Sequence, residues 1–105
     1  MQNSRFAVAI HTLVLLAAKA GASSLKFFPA SVLGAAGITA IRAVLPADLM
    51  IAAVGGVSDQ NFADYTRAGI LAFGLGSSLY KPGMTAAEVA ARARATIEAY
   101  DMAIQ

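Results

Sequence analysis

An α/β fold, with a parallel sheet covered by helices, is predicted by three observations. Short and nearly all-apolar runs stand at Leu25 to Phe28, Met50 to Val54 and Ile70 to Gly74. Segments of helical pattern separate and follow them, each long enough to carry the chain back across a sheet. Two of the runs close on glycine turns, Val54-Gly55-Gly56-Val57 and Gly74-Leu75-Gly76-Ser77-Ser78. Strands without a polar face are the mark of a sheet buried on both sides, which is the parallel kind.

The elements follow in order. Phe6, Ile10, Leu13 and Ala17 recur at helical spacing, and Ala20-Gly21 makes a C-cap, so the first segment reads as an apolar helix. Arg5 ahead of two apolar runs, with Ala20-Gly21-Ala22 behind them, also has the outline of a secretory signal, but His11, Thr12 and Lys19 interrupt its apolar core and favour the helix. Leu25 to Phe28 is the first strand, Pro29 to Gly34 a loop, and Ala35 to Val44 a helix. Pro46 and Asp48 turn the chain into the strand Met50 to Val54. After Gly55-Gly56-Val57 a helix capped by Ser58 or Asp59 runs to Arg67, and Ala68-Gly69 repeats the earlier Ala20-Gly21 ending. The strand Ile70 to Gly74, a loop from Leu75 to Gly83, and a last helix whose Thr85 and Glu88 have capping-box spacing complete three βα units.

Glycine turns at the C-terminal ends of successive strands narrow this to a (β/α) barrel or a doubly wound sheet, because ligands bind at that end in both. The pair of loops presenting Gly55-Gly56 and Gly76-Ser77 fits the phosphate site that barrels build after their last two strands. The chain therefore reads as the C-terminal part of a (β/α)8 barrel, with about three βα units preceded by a helix and forming one partial domain over residues 1–105. A dinucleotide fold fits less well, since Gly74-x-Gly76-x-x-Leu79 lacks the third glycine of that fingerprint.

Composition bounds the function. Of 105 residues, 58% are hydrophobic and only 13% charged, against roughly 25% charged in an ordinary soluble domain. So apolar a chain buries surface against another chain or another part of a larger body. The net charge is +2, and the basic residues are scattered without interleaved aromatics, which argues against a nucleic-acid partner. No uncharged run is long enough for a membrane span. The absence of cysteine excludes disulfides and thiolate metal sites and is compatible with the cytoplasm. With one histidine, His11, far in sequence from Ser77 and Ser78, a hydrolase triad is disfavoured.

Lys26 stands between Leu25 and Phe27 in the first strand. An ammonium among apolar side chains tends to lose its proton, and the neutral amine attacks carbonyls. A strand-end lysine that snorkels to solvent is the plainer reading. Gly55-Gly56 alone is likewise an ordinary turn as readily as an anion site. Paired with Gly76-Ser77, it favours phosphate binding, since bare turns bring backbone N–H groups up to an anion. The aromatics Phe27, Phe28, Phe62, Tyr65 and Phe73 read as core, and Tyr80 as either a site entrance or a helix cover.

Leu25-Lys26-Phe27-Phe28-Pro29-Ala30, Ala53-Val54-Gly55-Gly56-Val57 and Phe73-Gly74-Leu75-Gly76-Ser77-Ser78-Leu79-Tyr80-Lys81-Pro82-Gly83 together resemble the class I 2-keto-3-deoxy-6-phosphogluconate and 6-phosphogalactonate aldolases. The resemblance runs from about Ala20 to the C-terminus, leaving residues 1–19 unmatched, and the last motif is more similar to the galactonate branch. It implies that Lys26 lies on the sixth barrel strand and forms a Schiff base with the substrate ketone. It implies also that Gly55, Gly56, Gly76 and Ser77 hold the substrate phosphate and that Pro29 shapes the loop beside the lysine. The implied reaction is cleavage of 2-dehydro-3-deoxy-6-phosphogalactonate to pyruvate and glyceraldehyde 3-phosphate, without cofactor or metal. Members of the family associate, commonly as trimers.

The family fold is a complete barrel, and strands one to five would precede Ala20. The family's acid/base glutamate, its N-terminal arginine and its substrate-binding threonine have no counterpart here, since Glu88 and Glu98 fall on the final helix and Arg5 in the unmatched segment. The expectation is therefore a Schiff-base aldolase completed by self-association, as a trimer, or by a complementing barrel half. The alternative is a non-catalytic half-barrel that retains a phosphate-binding surface or serves as an assembly module. A third reading is another phosphate-binding barrel enzyme, an epimerase or synthase, in which Lys26 has no covalent role.

Overall fold

A computed structural model describes residues 4–105. Within its first helix the side chains of Ser4, Phe6, Ala7, Val8 and His11 lie outside the described residues, and with them the expectation about His11. The element order is α1 (Ser4–Lys19), β1 (Ser24–Phe27), α2 (Ala30–Arg42), β2 (Met50–Val54), α3 (Phe62–Arg67), β3 (Ala72–Gly74) and α4 (Ala86–Ala103). The strands form one parallel sheet in the order β1-β2-β3.

Register assigns each side chain to a face. Phe27 lies opposite Ala53, which lies opposite Phe73, whereas Lys26 lies opposite Ala52, which lies opposite Ala72. Successive residues of a strand point to opposite faces. The row of Phe27, Ala53 and Phe73, with Leu25 and Ile51, packs into the core under the helices, and Ala53 is 0% exposed. The other row, Ser24, Lys26, Met50, Ala52, Val54, Ala72 and Gly74, holds no buried residue. The sheet is thus covered on one face only.

On α1 the stripe that meets the core is Ile10, Val14 and Ala18, with Leu15 beside it, while Leu13 is exposed. The predicted stripe through Leu13 and Ala17 is rotated from the observed one, because the unbroken apolar run Leu13 to Ala18 satisfies either spacing. Both Ala-Gly endings close their helices in the same way. Gly21 N–H donates to the Ala18 carbonyl at 3.1 Å and Ala22 N–H to the Ala17 carbonyl at 3.1 Å. After α3, Gly69 N–H donates to Thr66 and Ile70 N–H to Tyr65, both at 3.0 Å. These are Schellman caps, and they require the positive φ of Gly21 (95°) and Gly69 (90°).

Helix α2 begins at Ala30, so the predicted loop Pro29 to Gly34 is largely a helical turn, entered through Pro29, whose fixed φ suits a helix start. Within that stretch the backbone leaves helical geometry at Gly34, with φ 68° and ψ 168°, and the helix expected from Ala35 follows it. Helix α3 starts at Phe62 rather than at Ser58 or Asp59. Ser58 N–H donates to Asn61 Oδ1 at 2.9 Å and Gln60 N–H to Ser58 Oγ at 3.1 Å. These local bonds hold the segment as a turn and compete with helix. On α4 the predicted capping box is present: Glu88 N–H donates to Thr85 Oγ1 at 3.2 Å, and Thr85 N–H to Glu88 Oε2 at 2.8 Å.

Helix α4 docks through an aromatic cluster. Phe62 and Phe73 pack with tilted rings at 4.8 Å between centroids, Tyr100 meets both edge-on at 6.0 and 6.1 Å, and the Tyr100 hydroxyl donates to the Leu71 carbonyl at 2.7 Å. Among the described residues no helix is long and apolar enough to cross a membrane.

Candidate functional site

The C-terminal ends of β2 and β3 open into a cleft of about 490 Å³ lined by both glycine loops, from Val54 to Ser58 and from Gly74 to Ser78, together with Phe28 and Lys81. Four of the five predicted site residues, Gly55, Gly56, Gly76 and Ser77, therefore meet in one place.

Two of the glycines are required by close packing. Gly55 has φ 92°, and a Cβ there would lie 3.0 Å from Pro29 Cα and from the Phe28 ring. Gly56 has φ 74°, and its Cβ would lie 2.6 Å from Ser31 Cβ. The loop is pinned at this contact, since Ser31 N–H donates to the Gly55 carbonyl at 3.2 Å and Asn61 Nδ2 to the Gly56 carbonyl at 2.9 Å. Around Gly76 the reason differs: nothing lies within 4 Å of a Cβ there, so the glycine leaves open space at the cleft. The Gly76 carbonyl turns away to accept from Leu79 N–H at 2.9 Å and Tyr80 N–H at 3.0 Å. Among the described residues no acceptor takes the N–H of Gly56, Gly76 or Ser77. Three amides lining one concavity are thus unspent, as an anion site needs.

Lys26 does not line this cleft. Its neighbours in sequence, Leu25 and Phe27, point to the helix-covered face, while Lys26 is exposed on the open face beside Ala52. The expectation that Leu25 and Phe27 enclose it is corrected accordingly: alternation along a strand carries them to the opposite side. The small side chains of Ala52 and Ala72 leave room beside the amine. Val54, which lines the cleft, sits two residues further along the same face as Ala52, a rise of roughly 7 Å. Amine and cleft are therefore displaced along one face of one sheet. Among the described residues no strand residue on that face carries a carboxylate.

Several residues of the site escaped the sequence reading. Phe28, which reads as core from its residue type, is 69% exposed and forms a wall of the cleft. Lys81, counted among scattered cations, lines the cleft and an adjoining hollow of about 420 Å³, which it shares with Ser58, Ser77, Ser78, Met84 and Arg92. Its place directly after the glycine motif was the available signal. Arg92 on α4 donates to Asp59 Oδ1 at 2.9 Å and to the Ser78 carbonyl at 3.1 and 3.3 Å, so it touches both loops. The hydrogen bond from Arg92 holds the Asp59 carboxyl below its ordinary value, against the opposing effect of burial. Tyr80 is exposed and outside the cleft lining.

Comparison with known proteins gives a consistent result. The family model for KDPG and KHG aldolase matches residues 7–96. A Rhizobium meliloti (strain 1021) protein named "Probable 2-dehydro-3-deoxy-6-phosphogalactonate aldolase" is 73% identical over 90 residues, covering 86% of this chain and 42% of the relative. The 2-dehydro-3-deoxy-6-phosphogalactonate aldolase of Escherichia coli (strain K12) is 45% identical over 89 residues, covering 85% and 43%. Among solved structures, one titled "Native KDPGal structure" superposes with a TM-score of 0.83 at 43% identity, over 90% of this chain and 46% of that one. A cube-shaped, highly porous protein cage designed by fusing symmetric oligomeric domains gives 0.81 at 43% identity, over 89% and 34%. The chain spans somewhat under half the length of the curated relatives it matches. Its fold is α/β, and its three parallel βα units form part of a (β/α)8 barrel.

Proposed function

We propose, from the premise that this chain belongs to the KDPG and KHG aldolase family, that it carries the Schiff-base and phosphate-binding half of an aldolase acting on 2-dehydro-3-deoxy-6-phosphogalactonate. The observation that carries this reading is the placement of Lys26 and the two glycine loops along one open face of one sheet. A short sugar acid laid along that face puts its ketone at the lysine and its terminal phosphate among the unspent amides.

In this reading the Lys26 amine adds to the C2 ketone and water leaves, giving an iminium. The iminium draws electrons from the C3–C4 bond, the C4 hydroxyl gives up its proton, and glyceraldehyde 3-phosphate departs. The enamine left on Lys26 takes a proton at C3, and hydrolysis frees pyruvate and the amine. The protonated imine supplies the polarisation that a metal gives in other aldolases. Cleft amides and Lys81 hold the phosphate, so binding energy away from the reacting carbon positions it.

The open face carries no carboxylate to move the C4 proton, and general acid–base catalysis contributes on the order of 10²- to 10⁴-fold. The active form is accordingly one in which a homo-oligomer, a trimer for instance, or a complementing barrel half covers that face. The likeness to a cage fused from symmetric oligomeric domains supports association. A phosphorylated substrate suits the cytoplasm. The second reading, a half-barrel that binds phosphate without catalysis, is favoured by the exposure of Lys26.

The test is pyruvate release from 2-dehydro-3-deoxy-6-phosphogalactonate, with the phosphogluconate epimer in parallel. Slow release that disappears in Lys26→Ala and is faster for the galactonate supports the proposal. Release unaffected by Lys26→Ala refutes it. No release, with phosphate still bound, favours the non-catalytic reading.

A further inference from the structure

The two glycine loops are joined by a single side chain. Arg92, from the middle of α4, holds the Asp59 carboxylate at 2.9 Å and the Ser78 carbonyl at 3.1 Å with the same Nη2, and Nε adds a contact to that carbonyl at 3.3 Å. Asp59 belongs to the loop after β2 and follows Ser58, which lines the cleft. Ser78 belongs to the loop after β3 and lines the cleft itself. The side chain of Asp59 is 14% exposed and that of Arg92 38%. A carboxylate so placed, one residue beyond the cleft lining and without a counter-charge, would set a negative potential near a site meant for a phosphate dianion. Among the described residues the other ion pair, Arg67 with Asp64, lies on α3 and leaves this charge uncompensated.

We propose that Asp59 and Arg92 form a charge-cancelled latch: the pair fastens the two glycine loops to each other through α4 and hides from the bound phosphate the carboxylate that does the fastening. Arg92 is a positioning residue. Its Nε and Nη2 are engaged by Asp59 and Ser78, and Lys81 is the cation among the residues that line the cleft between the two loops. The planar fork of arginine suits this double task, since it satisfies a carboxylate and a carbonyl at once. The inference rests on the phosphate-binding reading above and adds to it where the site's charge balance comes from.

The test is a titration of the full chain with inorganic phosphate, followed at the amide resonances of Gly55, Gly56, Gly76 and Ser77, in the parent, Asp59→Asn, Arg92→Gln and the double variant. Asp59→Asn keeps shape and removes the negative charge, so phosphate should bind about two- to fivefold more tightly. Arg92→Gln uncovers the carboxylate and should weaken binding on the order of fivefold. The double variant should recover to within about twofold of the parent, a rescue that a purely structural role for Arg92 would not give. Should Arg92→Gln fail to fold, Asp59→Asn carries the test alone. Unchanged or weaker binding in Asp59→Asn, or a double variant no better than Arg92→Gln, overturns the latch while leaving phosphate binding intact. A parent chain whose loop amides do not respond to phosphate overturns the phosphate reading and the latch with it.

Discussion

Replacing Gly56 by alanine puts the packing of the first glycine loop to a direct test. The residue sits at φ 74°, where an alanine costs about 1–2 kcal/mol in backbone strain. Its new Cβ would stand 2.6 Å from Ser31 Cβ and 2.9 Å from Ser31 Oγ. Ser31 cannot retreat without loss, because its N–H is bonded to the Gly55 carbonyl and it opens helix α2. Overpacking of that kind costs about 1–3 kcal/mol. Together the two effects predict a loss of about 2–5 kcal/mol, which in a chain of this size lowers the thermal midpoint by about 8 °C or more. Adding Ser31→Gly should restore only the steric part, giving a coupling of about 1–2 kcal/mol in a double-mutant cycle read by denaturant unfolding. Gly76→Ala is the contrast, since nothing lies within 4 Å of its Cβ and its φ is not positive. Its stability should stay within about 0.5 kcal/mol of the parent. A Gly56→Ala protein as stable as the parent, or a Gly76→Ala protein as damaged as Gly56→Ala, would refute this account of the loops.

Three further outcomes follow from contacts elsewhere. Arg42 donates to the carbonyls of Pro46, Ala47 and Leu49 in the turn between α2 and β2, so Arg42→Ala should cost about 1.5–3 kcal/mol in urea unfolding, whereas Arg67→Ala, on the exposed α3 pair, should cost under about 0.5 kcal/mol. Thr85→Ala removes the N-cap of α4 and should cost about 1 kcal/mol, with Thr85→Ser close to neutral. The Asp59 carboxyl is held below its ordinary value of 3.8 by the Arg92 hydrogen bond, so the unfolded chain binds the proton first. The pair's contribution is fully present above that value and is lost as pH falls through the lower folded one; Asp59→Asn should lose that contribution near pH 7 and flatten the acid limb of a stability–pH curve, so that parent and variant converge as pH falls below about 4.

Much of the fold was legible because it rests on local chemistry. β2 begins and ends at the predicted residues, Met50 and Val54, and the capping box of α4 is carried by two residues three apart. The repeated Ala-Gly endings closed α1 and α3 as expected, since a Schellman cap needs only a residue tolerant of positive φ. What was missed depends on distance or competition. Ser58 and Asp59 look like N-caps until Asn61 is seen to occupy the same backbone, and helix then yields to turn. The surroundings of Lys26 are not legible from its neighbours along the chain, because the sheet sends them to the other face. The bond from Arg92 to Asp59 joins residues 33 apart and leaves no periodic trace. Phe28 has the chemistry of a core residue, and only the turn into α2 brings it out to the cleft.

The central claim is that Lys26 is the amine that condenses with the ketone. Incubating the chain with pyruvate and borohydride, then measuring intact mass, addresses this directly, with Lys26→Ala as control. The account predicts one reduced pyruvyl adduct on the parent protein, located at Lys26 by peptide mapping and lost in the control. A folded parent that forms no adduct, or an adduct that persists in Lys26→Ala, would contradict it.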